Sequence, residues 1–347
     1  MKKFKAVLGL SSMMLILSAC GDNEEGNTGN NDPADDNAAE ANNDNMDNDN
    51  GDDEEAAGDW MTDVTVLTGG EQGVYFPLGG AMAQIFNDEV DDVQATGVST
   101  GASVVNINDI QDGMGEFALV QNDIAFYAQE GTVMFEESLD NFSGIATLYP
   151  EVVHIVATED SGIETVEDLE GQRVAVGDQG SGTEANANQI LEAHGITYDD
   201  INEEYMDFGD ASAGIQDGNI DAAFITAGTP TGAIESLQAN RDVVIVSINE
   251  EVIDEITGEY PYYTEFEIGS DVYGTENDAT TVAVQAMLIV SNDLSEDQVY
   301  EMTRALFENL DVIEGTHATG SNITLDTAQD GMPIELHPGA ARYFDEQ

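Results

Sequence analysis

The chain has 347 residues, with 71 Asp and Glu against 7 Lys and Arg, a formal net charge of −64 and a single Cys. Its length allows two domains with cores of ordinary size. The charge excludes nucleic acid and anionic membrane surfaces as partners, and the lone Cys excludes a disulfide framework. Self-repulsion on this scale destabilises a compact chain in dilute buffer and is screened within about 3 Å at molar salt. The composition therefore points to a protein that meets brine.

Lys2, Lys3 and Lys5 precede an apolar run from Ala6 to Leu17, and small residues lead on to Cys20. A basic end, an apolar middle and a small-residue cleavage region make residues 1–20 a secretion signal, too short to span a bilayer comfortably. Leu17-Ser18-Ala19-Cys20 resembles the bacterial lipobox. That implies lipid on Cys20 and a place outside the cell, anchored to the outer face of the membrane or periplasmic. Residues 21–60 are mostly Asp, Asn, Glu, Gly and Ala, too poor in apolar side chains to offset the entropy of ordering. They read as a disordered acidic tether. The Asp/Asn run near Gly51 is out of register for a calcium loop, because Met46 stands at the first ligand position.

After Trp60 the periodicity changes to strands alternating with helices, an α/β arrangement. Val64 to Thr68 reads as a strand, followed by a glycine loop through Gly73 and a helical stripe of Met82, Ile85, Phe86 and Val90. Val93 to Val98 is a second strand. It ends at Thr100-Gly101-Ala102-Ser103, with Ser103 placed to cap a helix whose apolar face is Val104, Ile107 and Ile110. Phe117 to Gln121 is a third strand, leading into Asn122-Asp123. Ile145 to Thr158, which contains Pro150, suits a strand crossing to a second lobe. Arg173 to Val176 stops at Gly177, crosses a glycine-rich loop and enters a helix capped by Ser181 or Thr183. Thr281 to Val290 suits the return crossing, and Ser295 to Ile313 reads as one helix packing on the first lobe.

One phrase recurs. Ile110-Gln111-Asp112-Gly113 before Phe117 to Val120 is echoed by Ile215-Gln216-Asp217-Gly218 before Asp221 to Ile225. In each, a helix ends at Asp-Gly and a buried strand follows. The echo implies two lobes of like topology: residues 61–152 open lobe 1, 153–278 form lobe 2, and 279–347 return to complete lobe 1. Loops at Thr68, Thr100, Gln121, Gly177 and Gly228 then lie beyond the carboxyl ends of strands, where open α/β sheets bind ligands.

After the signal only Arg173, Arg241, Arg304 and Arg342 are cationic, and none is placed obviously at a cleft. A bound anion is held more cheaply by neutral groups: the N–H groups and hydroxyls of Ser181, Gly182 and Thr183, helped by Thr100 and Ser103. Glycines such as Gly73, Gly101 and Gly182 let the backbone approach a ligand. Each of these loops also reads as a plain turn with a capped helix. Tyr75 serves as a ligand wall or as core. Gln121 and Asp123 follow a strand at the expected rim, with Asp123 meeting a ligand ammonium or capping a helix. Thr68, Thr229 and Pro230 sit in strand-end loops of the same kind, with a cleft role and a capping role both open for Thr229. Catalytic machinery is thin. Thr183 stands where a phosphate-binding loop requires Lys, no G-x-S-x-G elbow occurs, and the four His show no paired metal spacing. No catalytic residue, metal or cofactor is expected.

The placed residues resemble the TAXI family of extracytoplasmic solute receptors, the binding-protein component of one branch of TRAP transporters. The matching stretches are Thr68-Gly69-Gly70-Glu71-Gln72-Gly73-Val74-Tyr75-Phe76-Pro77, Ser99-Thr100-Gly101-Ala102-Ser103, Val120-Gln121-Asn122-Asp123 and Gly180-Ser181-Gly182-Thr183. Asp168-Leu169-Glu170-Gly171-Gln172-Arg173-Val174-Ala175-Val176-Gly177, Gly228-Thr229-Pro230-Thr231 and Pro333-Ile334-Glu335-Leu336-His337-Pro338-Gly339-Ala340 complete them. Ala102 departs from the pattern where a second Gly is usual, and Glu71-Gln72 replaces smaller residues. The resemblance implies a two-lobed type II periplasmic-binding-protein fold with a hinge of crossing strands. It also implies capture of a small organic anion, such as glutamate or a 2-oxo acid, and delivery to a membrane permease driven by an ion gradient. A ligand-presenting subunit of a signalling receptor and an exported hydrolase using Ser181 are the alternatives.

Overall fold

A computed structural model describes residues 60–347; the signal, Cys20 and all of the tether before Trp60 lie outside the described residues. The first half of the fold runs β1 (Asp63–Leu67), α1 (Tyr75–Glu89), β2 (Gln94–Val98), α2 (Ser103–Gln111), β3 (Phe117–Gln121) and α3 (Asn122–Glu130). The long strand β4 (Phe142–Thr158) then enters the second half. That half contains β5 (Arg173–Ala175), α4 (Gly182–Ala193), β6 (Asn202–Glu204), α5 (Phe208–Asp217) and β7 (Ala222–Ala227). It continues with α6 (Gly232–Gln238), β8 (Val243–Ile245), α7 (Glu250–Glu259), β9 (Thr264–Ile268) and α8 (Ser270–Tyr273). A second long strand, β10 (Ala279–Ser291), returns to α9 (Glu296–Glu308), α10 (Leu310–Thr316) and α11 (Pro338–Asp345).

All ten strands share one sheet, in the order β2-β1-β3-β10-β4-β7-β5-β6, with β8 beside β4 and β9 beside β10. The two outer wings are parallel (β1 with β2 and β3, β5 with β6 and β7), while β4 and β10 run antiparallel to their neighbours. The β3 and β7 sequences are apolar at nearly every position and buried throughout. Such runs belong to strands covered on both faces. In the first half, Phe86 of α1 packs its ring 5.2 Å from that of Phe117 on β3. In the second, Ile190 of α4 joins Val174, Phe224 and Ile155 in a buried cluster.

The crossing strands behave as their length suggests. Residues of β4 before Val152 pair with β10, and those from Val152 onward pair with β7. The β4–β10 ladder loses register between Gln285 and Met287, opposite Pro150. Pro150 offers no N–H, and the Asn122 side chain accepts the Gln285 N–H at 3.0 Å. Asn122 also donates to the Gly331 carbonyl at 3.1 Å. One amide thus holds the irregular point of the crossing.

Both echoed Asp-Gly phrases end helices, with Gly113 at φ +70° and Gly218 at φ +74°, the left-handed conformation that glycine adopts at little cost. Two expectations need correction. The helix expected over Ser295 to Ile313 breaks at Asn309, whose backbone leaves helical geometry and whose amide donates back to the Ala305 carbonyl at 2.8 Å. Ser103 is not a cap: Ala102 holds that position, and Ser103 is the first helical residue.

Candidate functional site

Four helices begin at one cavity of about 40 Å³. Val74 and Tyr75 bring the start of α1 to its wall, Ala102 and Ser103 that of α2, and Asp207 and Phe208 that of α5. Ser181, Gly182 and Thr183 bring the start of α4. A helix start presents unpaired N–H groups and the positive end of the helix dipole, equivalent to roughly half an elementary charge. The α4 start is the most fully arranged. Ser181 caps it, its hydroxyl accepting the Glu184 N–H at 3.1 Å, while the Glu184 carboxylate accepts the Gly180 N–H at 2.6 Å. The N–H groups of Gly182 and Thr183 find no acceptor among the described residues. Any side chain at Gly182 would run into the Gln121 amide, so glycine is what allows strand β3 and helix α4 to meet there.

Behind that meeting point lies a buried network centred on Asn186 of α4. Its carbonyl oxygen accepts from Gln121 Nε2 at 2.8 Å and from the Thr226 hydroxyl at 3.0 Å. Its amide donates to Asp123 at 3.1 Å and to the Tyr263 hydroxyl at 2.6 Å. Tyr263 in turn donates to Gln189, and Gln189 to Tyr127. Gln121, Asp123 and Tyr127 belong to the first half and the others to the second, so this network fastens the halves together. Burial pushes the Asp123 carboxyl up to about 7.

The cavity also holds a carboxyl group in its wall. Glu151, on β4 next to Pro150, is 3% exposed and accepts from the Tyr75 hydroxyl at 2.8 Å. Burial pushes it up to about 8, against the opposing effect of that hydrogen bond. Tyr75 itself is held neutral by its own burial and by Glu151. At the mouth, burial and the neighbouring Asp207 and Asp210 raise the Asp178 carboxyl. No arginine reaches the cavity. Arg173 pairs with Asp221, Arg241 with Asp160, Arg304 with Glu301, and Arg342 with Glu296 and Asp297.

Of the residues singled out in the sequence, Gly73, Tyr75, Ser103, Gln121, Ser181, Gly182 and Thr183 line the cavity. Thr100 and Gly101 line a wider vestibule of about 680 Å³ outside it. The Thr100 hydroxyl bonds Asn106 and the Thr68 carbonyl, which fixes the loop. Four others stand away from the wall. Thr68 is buried, its hydroxyl donating to the Val98 carbonyl at 2.6 Å. Asp123 sits behind Asn186 with no exposure. Thr229 turns its hydroxyl to His154 Nε2 at 3.2 Å, and Pro230 follows it outside the lining. The side chains that sequence reasoning passed over are Glu151, Asp178, Thr226, Asp207 and Phe208. Glu151 carried a signal: it is a lone carboxylate inside the otherwise apolar β4 run.

Residues 66–347 match the NMT1-like family. The chain belongs to that family. Among solved structures, this NMT1-like chain is similar to the alkanesulfonate-binding protein SsuA from Xanthomonas axonopodis pv. citri bound to MOPS. The match has 14% identity and a TM-score of 0.50, covering 83% of this chain and 85% of that one. A protein from Bordetella bronchiseptica RB50 is similar at 15% identity and TM-score 0.50, over 80% of this chain and 84% of that one. The likeness establishes the architecture of the NMT1-like chain as a mixed α/β fold around a central sheet, of periplasmic-binding-protein type.

Proposed function

We propose that the protein is an extracytoplasmic solute receptor that closes two lobes over a small carboxylate-bearing solute, an amino acid or another small organic anion. The observation that carries this reading is the convergence of four helix starts on one cavity that no arginine reaches. An anion held there draws on aligned N–H groups rather than on a cation. The lobes divide at residues 61–152, 153–278 and 279–347, with β4 and β10 as the hinge. The finer reading is a TAXI-type receptor, lipid-anchored through Cys20, that hands its solute to a TRAP permease driven by an ion gradient. No carboxylate or His accepts a hydrogen bond from the Ser181 hydroxyl, which caps α4 by accepting the Glu184 N–H, so the receptor reading stands ahead of a hydrolase.

The experiment is a thermal-shift screen of the mature protein in molar salt against amino acids, 2-oxo acids and other small carboxylates. The likeness to SsuA adds sulfonates to that screen. A ligand that binds the folded chain and not the unfolded one stabilises the fold by an amount that grows with the logarithm of its concentration over Kd. A concentration-dependent rise in Tm with at least one acid is expected; no shift with any acid, at low or high salt, overturns the reading.

A further inference from the structure

The cavity wall offers more to a solute than N–H groups. Gln121 is 2% exposed and its Oε1, against Gly182, has no hydrogen-bond partner. The amide cannot simply turn over. Its Nε2 donates to Asn186 Oδ1, and Thr226 donates to that same oxygen, so a flipped Gln121 would set oxygen against oxygen. Glu151, on the same wall, accepts from the Tyr75 hydroxyl and has the Tyr149 hydroxyl close by, with no cation beside it. A buried acceptor left without a donor costs free energy that a solute N–H recovers. Outside, the vestibule is lined by Glu71, Asp178 and Asp207 with no cation among its residues.

We propose that Glu151 and Gln121 take a protonated amine of the solute while the α4 N–H groups take its carboxylate, the side chain projecting into the acidic vestibule. The solute class is then an α-amino acid with no net negative charge: a neutral or basic side chain is admitted and an acidic one repelled. This inference rests on the receptor reading and narrows it. Burial favours the protonated form of Glu151 in the empty cavity; an ammonium group supplies the missing counter-charge, and Glu151 releases its proton to solvent as the amine docks.

Isothermal titration near neutral pH in molar KCl tests this with L-alanine, L-lysine, L-glutamate and pyruvate. Alanine and lysine are expected to bind roughly tenfold or more tighter than pyruvate, the loss that follows when a charge-assisted hydrogen bond is missing. Lysine is expected to bind tighter than glutamate. Glu151→Gln, checked for folding by its unfolding curve, is expected to bring alanine down to the level of pyruvate. If that variant does not fold, the wild-type comparison decides alone. Pyruvate binding as tightly as alanine, or glutamate tighter than lysine, overturns the inference and leaves the receptor reading in place. Failure of all four solutes and of the wider acid screen overturns both.

Discussion

The Tyr75 hydroxyl donates to Glu151 across 2.8 Å. That bond joins the first turn of α1 to β4 near the point where the strand passes from one half of the sheet to the other. The cavity wall and the crossing strand β4 are therefore one structure, and whatever changes the charge on Glu151 acts on both.

Stability should accordingly depend on pH in an unusual direction. Folded Glu151 and Asp123 keep their protons up to about 8 and about 7, against ordinary values of 4.5 and 3.8. The folded chain then binds more protons than the unfolded one between those values, so their contribution is full below about pH 4, declines as pH rises from there, and is gone above about 8. His154 acts the other way. Burial lowers it from 6.5 to about 4, and its contribution is present above 6.5 and lost as pH falls towards 4. Thermal unfolding in molar salt is expected to show Tm falling from about pH 4.5 to about 8, with His154 offsetting part of the fall below 6.5, and Glu151→Gln should flatten the part between about 7 and about 8.

Ala102 carries a second prediction. It adopts φ +65° and ψ −148°, close to a region that only glycine occupies without strain, and one such residue costs on the order of 1–3 kcal/mol. Glycine at that position loses some entropy on folding. The net expectation for Ala102→Gly is a gain of about 1 kcal/mol, read as a higher denaturation midpoint with an unchanged slope.

Much of this arrangement is legible in the amino-acid sequence. The crossing strands are readable because a long, mostly apolar run around Pro150 has few other uses, and the site loops because glycines follow strand ends. Side-chain direction was not readable. Thr68, Asp123 and Thr229 stand in the right loops, yet packing turns their oxygens to Val98, Asn186 and His154. Asn186 was hidden because a polar residue inside a helix reads as a solvated face; its burial depends on β3 and β7 meeting it from two different parts of the chain. The end of α9 was lost for a similar reason, since Asn309 breaks an apolar pattern that runs on beyond it.

The surface charge yields a third prediction. The four arginines are all engaged in ion pairs at the surface, so most carboxylates face others of like sign. Raising KCl from dilute buffer to molar concentration is expected to raise Tm by several degrees, most steeply at the start as the screening length shortens. Calorimetry at matched NaCl and KCl concentrations checks that the effect is screening rather than specific binding, in which case the two salts coincide.

The last prediction concerns the fastening between the halves. Asn186 exchanges four hydrogen bonds, with Gln121 and Asp123 of one half and with Thr226 and Tyr263 of the other, and it has no exposure. Asn186→Ala leaves those groups buried without partners, or solvated if the halves part. An unsatisfied buried polar group costs about 1–3 kcal/mol, and opening along β4 and β10 avoids that cost by admitting water. The variant is therefore expected to lose a few kcal/mol of stability, on the order of 2–4, and to show a larger radius of gyration by small-angle scattering. Saturating solute should restore part of the compaction, because a ligand that bridges the halves favours the closed form. A variant that stays as compact as wild type while losing stability would place Asn186 in the packing of one half rather than in the fastening of two.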